Sequence, residues 1–447
     1  MEGLEISVVK LSEVLEDVDL RLESEYYNSE HIVFNSVQGC DIESFSQYGT
    51  SEDLNEEGKG FPILRLNEFD SFFISKPSKY CDLISKETFE LLKLKKNDVL
   101  ICRTNGNPKY VGKAAIVPKN YEYAFASYVF RLRPKTDIIN SATLVSFLNS
   151  KYGRIEIEKY SMVGNQANFS PAKFRQIAIP ILSKELNNKI EEIVYKSFEL
   201  LEESKSLYSQ AEDLLLGELG LKDWQPKNTL HTTKKFSDFA QSGRLDAEYY
   251  QPKYDEIEKV IKSYKGGYDI VSNLFNQNLD VCDYKKTEYN YVEIGDVNVG
   301  DGSVSFNKVD TSELPDNAKR VLHKNDILIS KVRPYRGAVA IIDFEQEDLI
   351  GSGAFTVLQE KSSYKKETLQ ILFRTAVYKD WLLKWNVGSS YPVIKDEDIL
   401  NLPIPILPEA IQTKIASLIQ QSFEYKAQSK QLLEDAKRMV EEEIEKN

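Results

Sequence analysis

The sequence predicts an α+β protein built as two tandem homologous halves of mixed α/β structure, each followed by a long helix, with the two helices paired as an antiparallel coiled coil. Three observations carry this reading. The heptapeptide RLESEYY (residues 21–27) returns as RLDAEYY (residues 244–250). The match extends well beyond seven residues, and internal repetition is the first thing to test before assigning a fold. LKKNDVLICR (94–103) recurs as LHKNDILISK (322–331), VGKAAIV (111–117) as RGAVAII (336–342) after a loop three residues shorter, and AIPIL (178–182) as PIPIL (403–407). From there the offset holds at 225 residues to the ends of both copies. The third observation is the polar, periodic segment that follows each IPIL.

Taken in order, residues 1–182 form the first mixed domain and 183–219 the first long helix. Residues 220–235 are a linker, 236–407 the second domain and 408–447 the second helix. Within each domain, β-branched and aromatic runs such as DVLICR and YVFRLRP read as strands. SATLVSFLNSKYG in the first copy and LQILFRTAVYKDWLLKW in the second each read as one amphipathic helix. The Pro-punctuated IPIL then stops the globular part.

The long helices carry the most information. Positions 186, 190, 193, 197, 200, 204, 207, 211 and 214 advance by alternating steps of four and three, as do 411, 415, 418, 422, 425, 429, 432, 436 and 439. This is the spacing of a coiled-coil seam, with Ile190, Ile193, Ser197, Leu200, Leu207, Ile415, Leu418, Ser422, Tyr425 and Leu432 as its candidate contacts. Both copies place Ser, Ser and Ala at matching positions, where small side chains let two backbones approach closely. A chain that leaves one helix, crosses a linker, builds a second domain and returns pairs the two most simply antiparallel. The alternative is that each helix packs only on its own domain. The acid-rich end of the second helix, EEEIEKN, is open to fraying.

Composition bounds the function. The 447 residues are 41% hydrophobic and 28% charged, without a run of 18 apolar residues or a signal-like N-terminus, so a cytoplasmic protein with no membrane association is expected. Four dispersed cysteines and three histidines signal neither a disulfide framework nor a zinc site. The net charge of −13 argues against a uniformly basic surface. Yet residues 93–135 hold ten Lys/Arg against two acids, and residues 319–337 hold six against one. No dinucleotide fingerprint, P-loop, zincin motif or nucleophile elbow is present. NPKY (107–110) faintly resembles the Asn-Pro-Pro-Tyr of adenine methyltransferases, but one proline is missing and no glycine-rich cofactor loop accompanies it.

If the repeated frame is scaffold, function lies where matching loops differ. After the shared KND[VI]LI strand the first copy reads RTNGNPKYVGK (103–113) and the second KVRPYRG (331–337). A second divergent pair is GNQANFS (164–170) against GSSYPV (388–393). Arg and Lys hydrogen-bond guanine edges or phosphate, and Asn pairs with adenine. The candidate DNA contacts are therefore Arg103, Thr104, Asn105, Asn107, Lys109, Tyr110, Lys113, Asn165, Gln166 and Asn168 in the first half. In the second they are Lys331, Arg333, Tyr335, Arg336, Ser389, Ser390 and Tyr391. Solvated loops without function are the alternative for any one of them.

The RL[DE]xEYY, KND[VI]LI and [IV]PI[LP] motifs and the two terminal helices, repeated in one order, resemble the specificity (S) subunits of type I restriction-modification systems. The resemblance covers essentially the whole chain. It implies a non-catalytic reader of double-stranded DNA, each half being a target recognition domain for one part of a split site. It further implies that the helices, residues 184–219 and 409–444, hold the readers apart and dock two modification subunits. Those subunits would carry S-adenosylmethionine, restriction subunits would add ATP- and Mg²⁺-dependent cleavage, and this chain itself would hold no cofactor. Thirty residues of helix span about 45 Å, roughly 13 base pairs of duplex. A duplicated scaffold that binds proteins is the alternative function, but protein binding does not require the pair of basic loops.

Overall fold

The computed structural model describes residues 8–16, 34–70, 72–161, 167–227, 229, 231–387 and 391–446. The first heptapeptide, residues 21–27, lies outside them. The chain forms two compact units: Met1–Leu201 with Lys426–Asn447, and Glu202–Tyr425. Each unit therefore takes one half of both long helices. No helix among the described residues is long and apolar enough to cross a membrane.

In the first unit, strands β1 (Glu43–Tyr48), β2 (Val99–Cys102), β3 (Ala114–Ile116) and β4 (Val129–Pro134) form an antiparallel sheet of order β1-β4-β2-β3. Strand β2 is apolar throughout because both its faces are covered. Val99 and Ile101 join the core under helix α1 (Ser141–Leu148), while Leu100 joins a second core with Ile63, Leu64 and Phe125. Side chains alternate along a strand, so a strand buried on both faces loses its polar residues. Helix α2 (Lys151–Tyr160) follows, and then the long α3 (Lys184–Leu219).

The second unit repeats this sheet with β5 (Phe275–Gln277), β6 (Ile327–Ser330), β7 (Val339–Ile341) and β8 (Phe355–Glu360) in the order β5-β8-β6-β7. Ile327 and Ile329 face one core and Leu328 the other, as in β2. Helices α4 (Lys366–Arg374), α5 (Ala376–Trp381) and the long α6 (Glu409–Lys446) complete it. The copies differ ahead of the KND turn. The first has a short helix, Lys86–Leu92, where the second has a strand, Ala318–Val321, that widens the smaller sheet to four strands.

The KND turn is kept for a physical reason. Asn97 and Asn325 both sit in the left-handed region (φ 71° and 74°), which Asn tolerates better than most residues. The aspartate that follows is buried and receives the turn. Asp98 accepts from the Lys95 amide (2.9 Å), Arg131 (3.2 Å) and Arg133 (2.5 Å). Asp326 accepts from the His323 amide (2.9 Å), Asn278 (3.0 Å) and Gln359 (2.9 Å).

Two expectations are corrected. The single amphipathic helix expected in each half is broken in two. Ser150 Oγ accepts from the Gly153 amide and Thr375 Oγ1 from the Tyr378 amide, so each hydroxyl caps a new helix, two residues after Leu148 in the first copy and one after Arg374 in the second. The helix seam also runs one residue on from the proposed register at every second contact. Ile190, Val194, Ser197, Leu201, Ser204, Ala211 and Leu215 are buried on α3, and Ile415, Ile419, Ser422, Ser429, Leu433, Ala436 and Val440 on α6. Ile193, Leu207, Leu418, Tyr425 and Leu432 are half-buried at its flank, whereas Leu200 is itself buried. The helices pack on a globular core as well as on each other, and two overlapping apolar stripes leave the register ambiguous in sequence.

The small residues fall at the closest points. In the first unit Ser197 Oγ lies 2.8 Å from Ser429 Oγ and 2.9 Å from its carbonyl oxygen. In the second, Ser204 donates to the Ser422 carbonyl (2.7 Å) and Ser422 to that of Ser204 (2.8 Å). One index rises by seven as the other falls by seven, so the helices are antiparallel. The acid-rich end does not fray early: α6 runs to Lys446, with Val440 and Ile444 buried. Glu441 accepts from the Lys151 amide (2.7 Å) and Glu445 from Tyr152 (2.6 Å).

Ser204→Leu is expected to destabilise the protein by about 1–3 kcal/mol through overpacking, and Ser204→Ala by about 1 kcal/mol through lost hydrogen bonds, both read by denaturant melting. A second pair of substitutions separates the two turns. Asp98→Ala strands the buried Arg131 charge and should cost about 3–5 kcal/mol. Asp326→Ala leaves only neutral side chains and amides unpaired and should cost less; equal losses would contradict the charge argument.

Candidate nucleic-acid interface

The divergent loops grow from the same end of matched strands. In the first unit, the chain leaving β2 makes a two-residue strand, Thr104–Asn105, paired antiparallel with Ala167–Asn168. The described parts of the two stretches that differ between the copies, 103–113 and 167–170, are thereby brought together. In the second unit Val332 bridges Val393, the Arg333 amide donates to Pro392 O (2.7 Å) and the Ile394 amide to Lys331 O (3.0 Å). Residues 331–337 and 391–393 thus meet in the same way.

Each loop then turns through a short 3₁₀ helix, Pro108–Tyr110 or Pro334–Arg336, and ends on a glycine in the left-handed region: Gly112 (φ 76°) and Gly337 (φ 72°). A Cβ on Gly112 would meet the Ile157 side chain at 2.4 Å, and one on Gly337 would meet Lys379 Cδ at 2.8 Å. The polar face of each loop is what remains outside. Asn107, Lys109 and Tyr110 are exposed in the first unit, with Lys113 Nζ 5.8 Å from the Tyr110 ring. Tyr335, Arg336 and Tyr391 are exposed in the second, and Arg333 lies over the Tyr391 ring at 4.4 Å. Val297, Val299 and Val332 together with Arg333, Arg336 and Tyr391 line an open groove of about 720 Å³.

Other proposed contacts are held by the protein itself. Arg103 donates to Ser127 O and stacks on Tyr48 at 4.9 Å. Asn105 Oδ1 accepts from the Asn107 amide (2.8 Å), and Asn107 Oδ1 from the Lys109 amide (3.1 Å). Lys331 is ion-paired with Asp396 Oδ1 (3.1 Å), which also accepts from Thr356, so its charge is used within the domain. Much of the first basic patch is likewise internal: Arg131 is buried and Arg131 and Arg133 share Asp98, while Lys93 pairs with Glu122. Counting charges along the chain does not show which cations are buried, nor that the acid neutralising Lys331 comes from 65 residues away. Asn168 is half-buried opposite Thr104. Asn165, Gln166, Ser389 and Ser390 lie outside the described residues.

Sequence reasoning missed the supports. Arg154 donates to Val111 O (2.8 Å) and Lys109 O (3.4 Å), bracing the first loop from α2. Asn149 grips the Ala114 amide and carbonyl (3.1 and 2.8 Å). Its counterpart at the 225-residue offset, Arg374, donates to Gly337 O (3.1 Å) and Val299 O (2.9 Å) and bonds Tyr208. The offset alone could have flagged this matched pair. Cys102, at the base of the first loop, is buried, and burial pushes its thiol up to about 12, so it offers no thiolate nucleophile. No cluster of metal-ligating side chains exists among the described residues.

Residues 268–437 match the family model of the type I restriction modification DNA specificity domain. That span holds the second sheet, its divergent loops and most of α6. The first half is tied to it by the duplication: the same strand order, the same KND turn, the same loop-closing glycine. No curated protein matches the chain significantly. Among solved structures, the S subunit of a type I restriction-modification system from M. genitalium is 12% identical over 93% of this chain and 96% of that one, at a TM-score of 0.44. The HsdS subunit from Thermoanaerobacter tengcongensis is 12% identical over 92% and 96%, at 0.29. A chain from a structure of type I R-M complex assembly and conformational transition is 13% identical over 92% and 95%, also at 0.29.

Gly337→Ala forces a Cβ into the left-handed region and should cost about 1–2 kcal/mol, more once Lys379 must move. The expected readout is a lowered unfolding midpoint, whereas the neighbouring surface change Tyr335→Ala should leave it nearly unchanged.

Proposed function

We propose that this chain, whose residues 268–437 match the family model of the type I restriction modification DNA specificity domain, is the specificity subunit of a type I restriction-modification complex. It acts as a non-catalytic reader of a bipartite double-stranded DNA site. The first repeat reads one half through Asn107, Lys109, Tyr110 and Lys113, and the second reads the other through Arg333, Tyr335, Arg336 and Tyr391. The observation that carries this reading is the pairing of a preserved frame with chemically different loops at matched places. Two homologous scaffolds presenting different Arg, Asn and Tyr sets at matched places suit two different sequences better than two copies of one ligand.

The antiparallel helices α3 and α6 are the spacer that sets the distance and helical phase between half-sites, and the surface on which two modification subunits dock. S-adenosylmethionine sits on those subunits, and ATP and Mg²⁺ serve the restriction subunits; this chain supplies the address. Its net negative charge leaves much of the phosphate-borne affinity to its partners. The complex works in the cytoplasm, where the DNA is.

Methylated adenines mapped in cells carrying this chain with its modification partner should form a two-block motif with a fixed spacer. Exchanging residues 103–113 for those of a related subunit should change one block only. A change in both blocks, or binding without sequence preference and without salt dependence, would leave the protein-scaffold reading in its place.

A further inference from the structure

The second heptapeptide, RLDAEYY, is built as a clamp on a recognition loop. Arg244 holds Asp246 through both prongs of its guanidinium (Nε–Oδ1 and Nη2–Oδ2, each 2.7 Å). The same group donates to Trp385 O (3.3 Å) and Asn386 O (2.7 Å), two consecutive carbonyls shortly ahead of the divergent stretch. The motif's own tyrosines hold the arginine in place. The Tyr249 ring lies 4.9 Å from the guanidinium, and the buried Tyr250 donates its hydroxyl proton to Arg244 O (2.9 Å). Glu248 accepts from Tyr254 and Gln251 and fixes the following turn. Nothing in the structure explains why Leu245, which is exposed, is shared by both copies.

From Asn386 the chain of bonds runs into the interface. Asn386 Oδ1 accepts from the Val393 amide (3.0 Å), and the Val387 amide donates to Val393 O (3.0 Å), closing the two stems of the loop. Pro392 O accepts from the Arg333 amide, and Tyr391 carries the Arg333 guanidinium on its ring. With its fork filled by a carboxylate and two carbonyls, and its side chain only 20% exposed, Arg244 is not itself disposed to meet a phosphate.

We propose that Arg244 is a positioning residue for sequence recognition: it fixes the stem that Asn386 and Val387 make with Val393 and so the Arg333–Tyr391 pair that reads the second half-site. This rests on the reading of the second repeat as a DNA reader. It also gives the second heptapeptide a task that does not depend on which bases are read, since a clamp acts on loop backbone and is indifferent to loop side chains.

The test is selection of a random-sequence duplex library by the full-length chain in complex with its modification partner, with the retained pool sequenced. The wild type should recover two blocks. Arg244→Ala should keep the first block unchanged and lose about tenfold in discrimination at the second, with Arg244→Lys intermediate because it keeps the charge without the fork. Asn386→Ala acts further along the same chain of bonds and should reproduce the effect, and the double variant should be no worse than the more severe single; it also carries the test should Arg244→Ala not fold. An unchanged second block, or a loss shared equally by both blocks, overturns the proposal. A wild type that recovers no two-block motif overturns the DNA-reading function first, and the role of Arg244 with it.

Discussion

Two helix backbones brought together closely enough for one serine hydroxyl to reach the carbonyl of the other helix is the contact on which the remainder of this architecture depends. It occurs twice, at Ser197 with Ser429 and at Ser204 with Ser422. Leu at these positions would hold the backbones apart, and the burial of Ile190, Val194, Ala211 and Leu215 on α3 and of Ile415, Ile419, Leu433 and Val440 on α6 would not follow. Each compact unit draws on part of both helices, and the first core is completed only by a segment from the far end of the chain. The Lys426–Asn447 segment belongs to the first unit, and the half of α3 that begins at Glu202 belongs to the second.

On this frame the two sheets are built alike and finished differently. A central apolar strand, a turn of Asn in the left-handed region and a buried Asp recur in both, yet the groups that satisfy the Asp differ: two arginines in one copy, an asparagine and a glutamine in the other. The same economy holds at the loops. A short 3₁₀ turn and a left-handed glycine set the backbone in both copies, which leaves the outward side chains free to diverge without disturbing the core. Asn149 and Arg374, at one matched position, grip the strand after the loop by different chemistry.

The duplication, the places of the loops and the limits of both long helices were legible in the sequence because each is written in residues close together: an apolar period, a proline stop, an Asn before an Asp. The register of the seam was not. A helix that faces both a partner helix and a globular core carries two apolar stripes, and only packing decides which line is central. Nor was the fate of the charges. Lys331 finds Asp396 65 residues away, and Arg244 reaches Asn386 across 142.

That difference divides what each level determined. The sequence by itself determined that there are two equivalent halves, where they diverge, and that two helices with small residues at matched positions pair closely, since these follow from composition and period along the chain. Only the tertiary structure decided which arginines and lysines remain at the surface, which are consumed by distant carboxylates, and that a preserved heptapeptide closes on the stem of a loop. Hydrogen bonds and ion pairs form between groups that meet in space, and their geometry is absent from the chain until it folds.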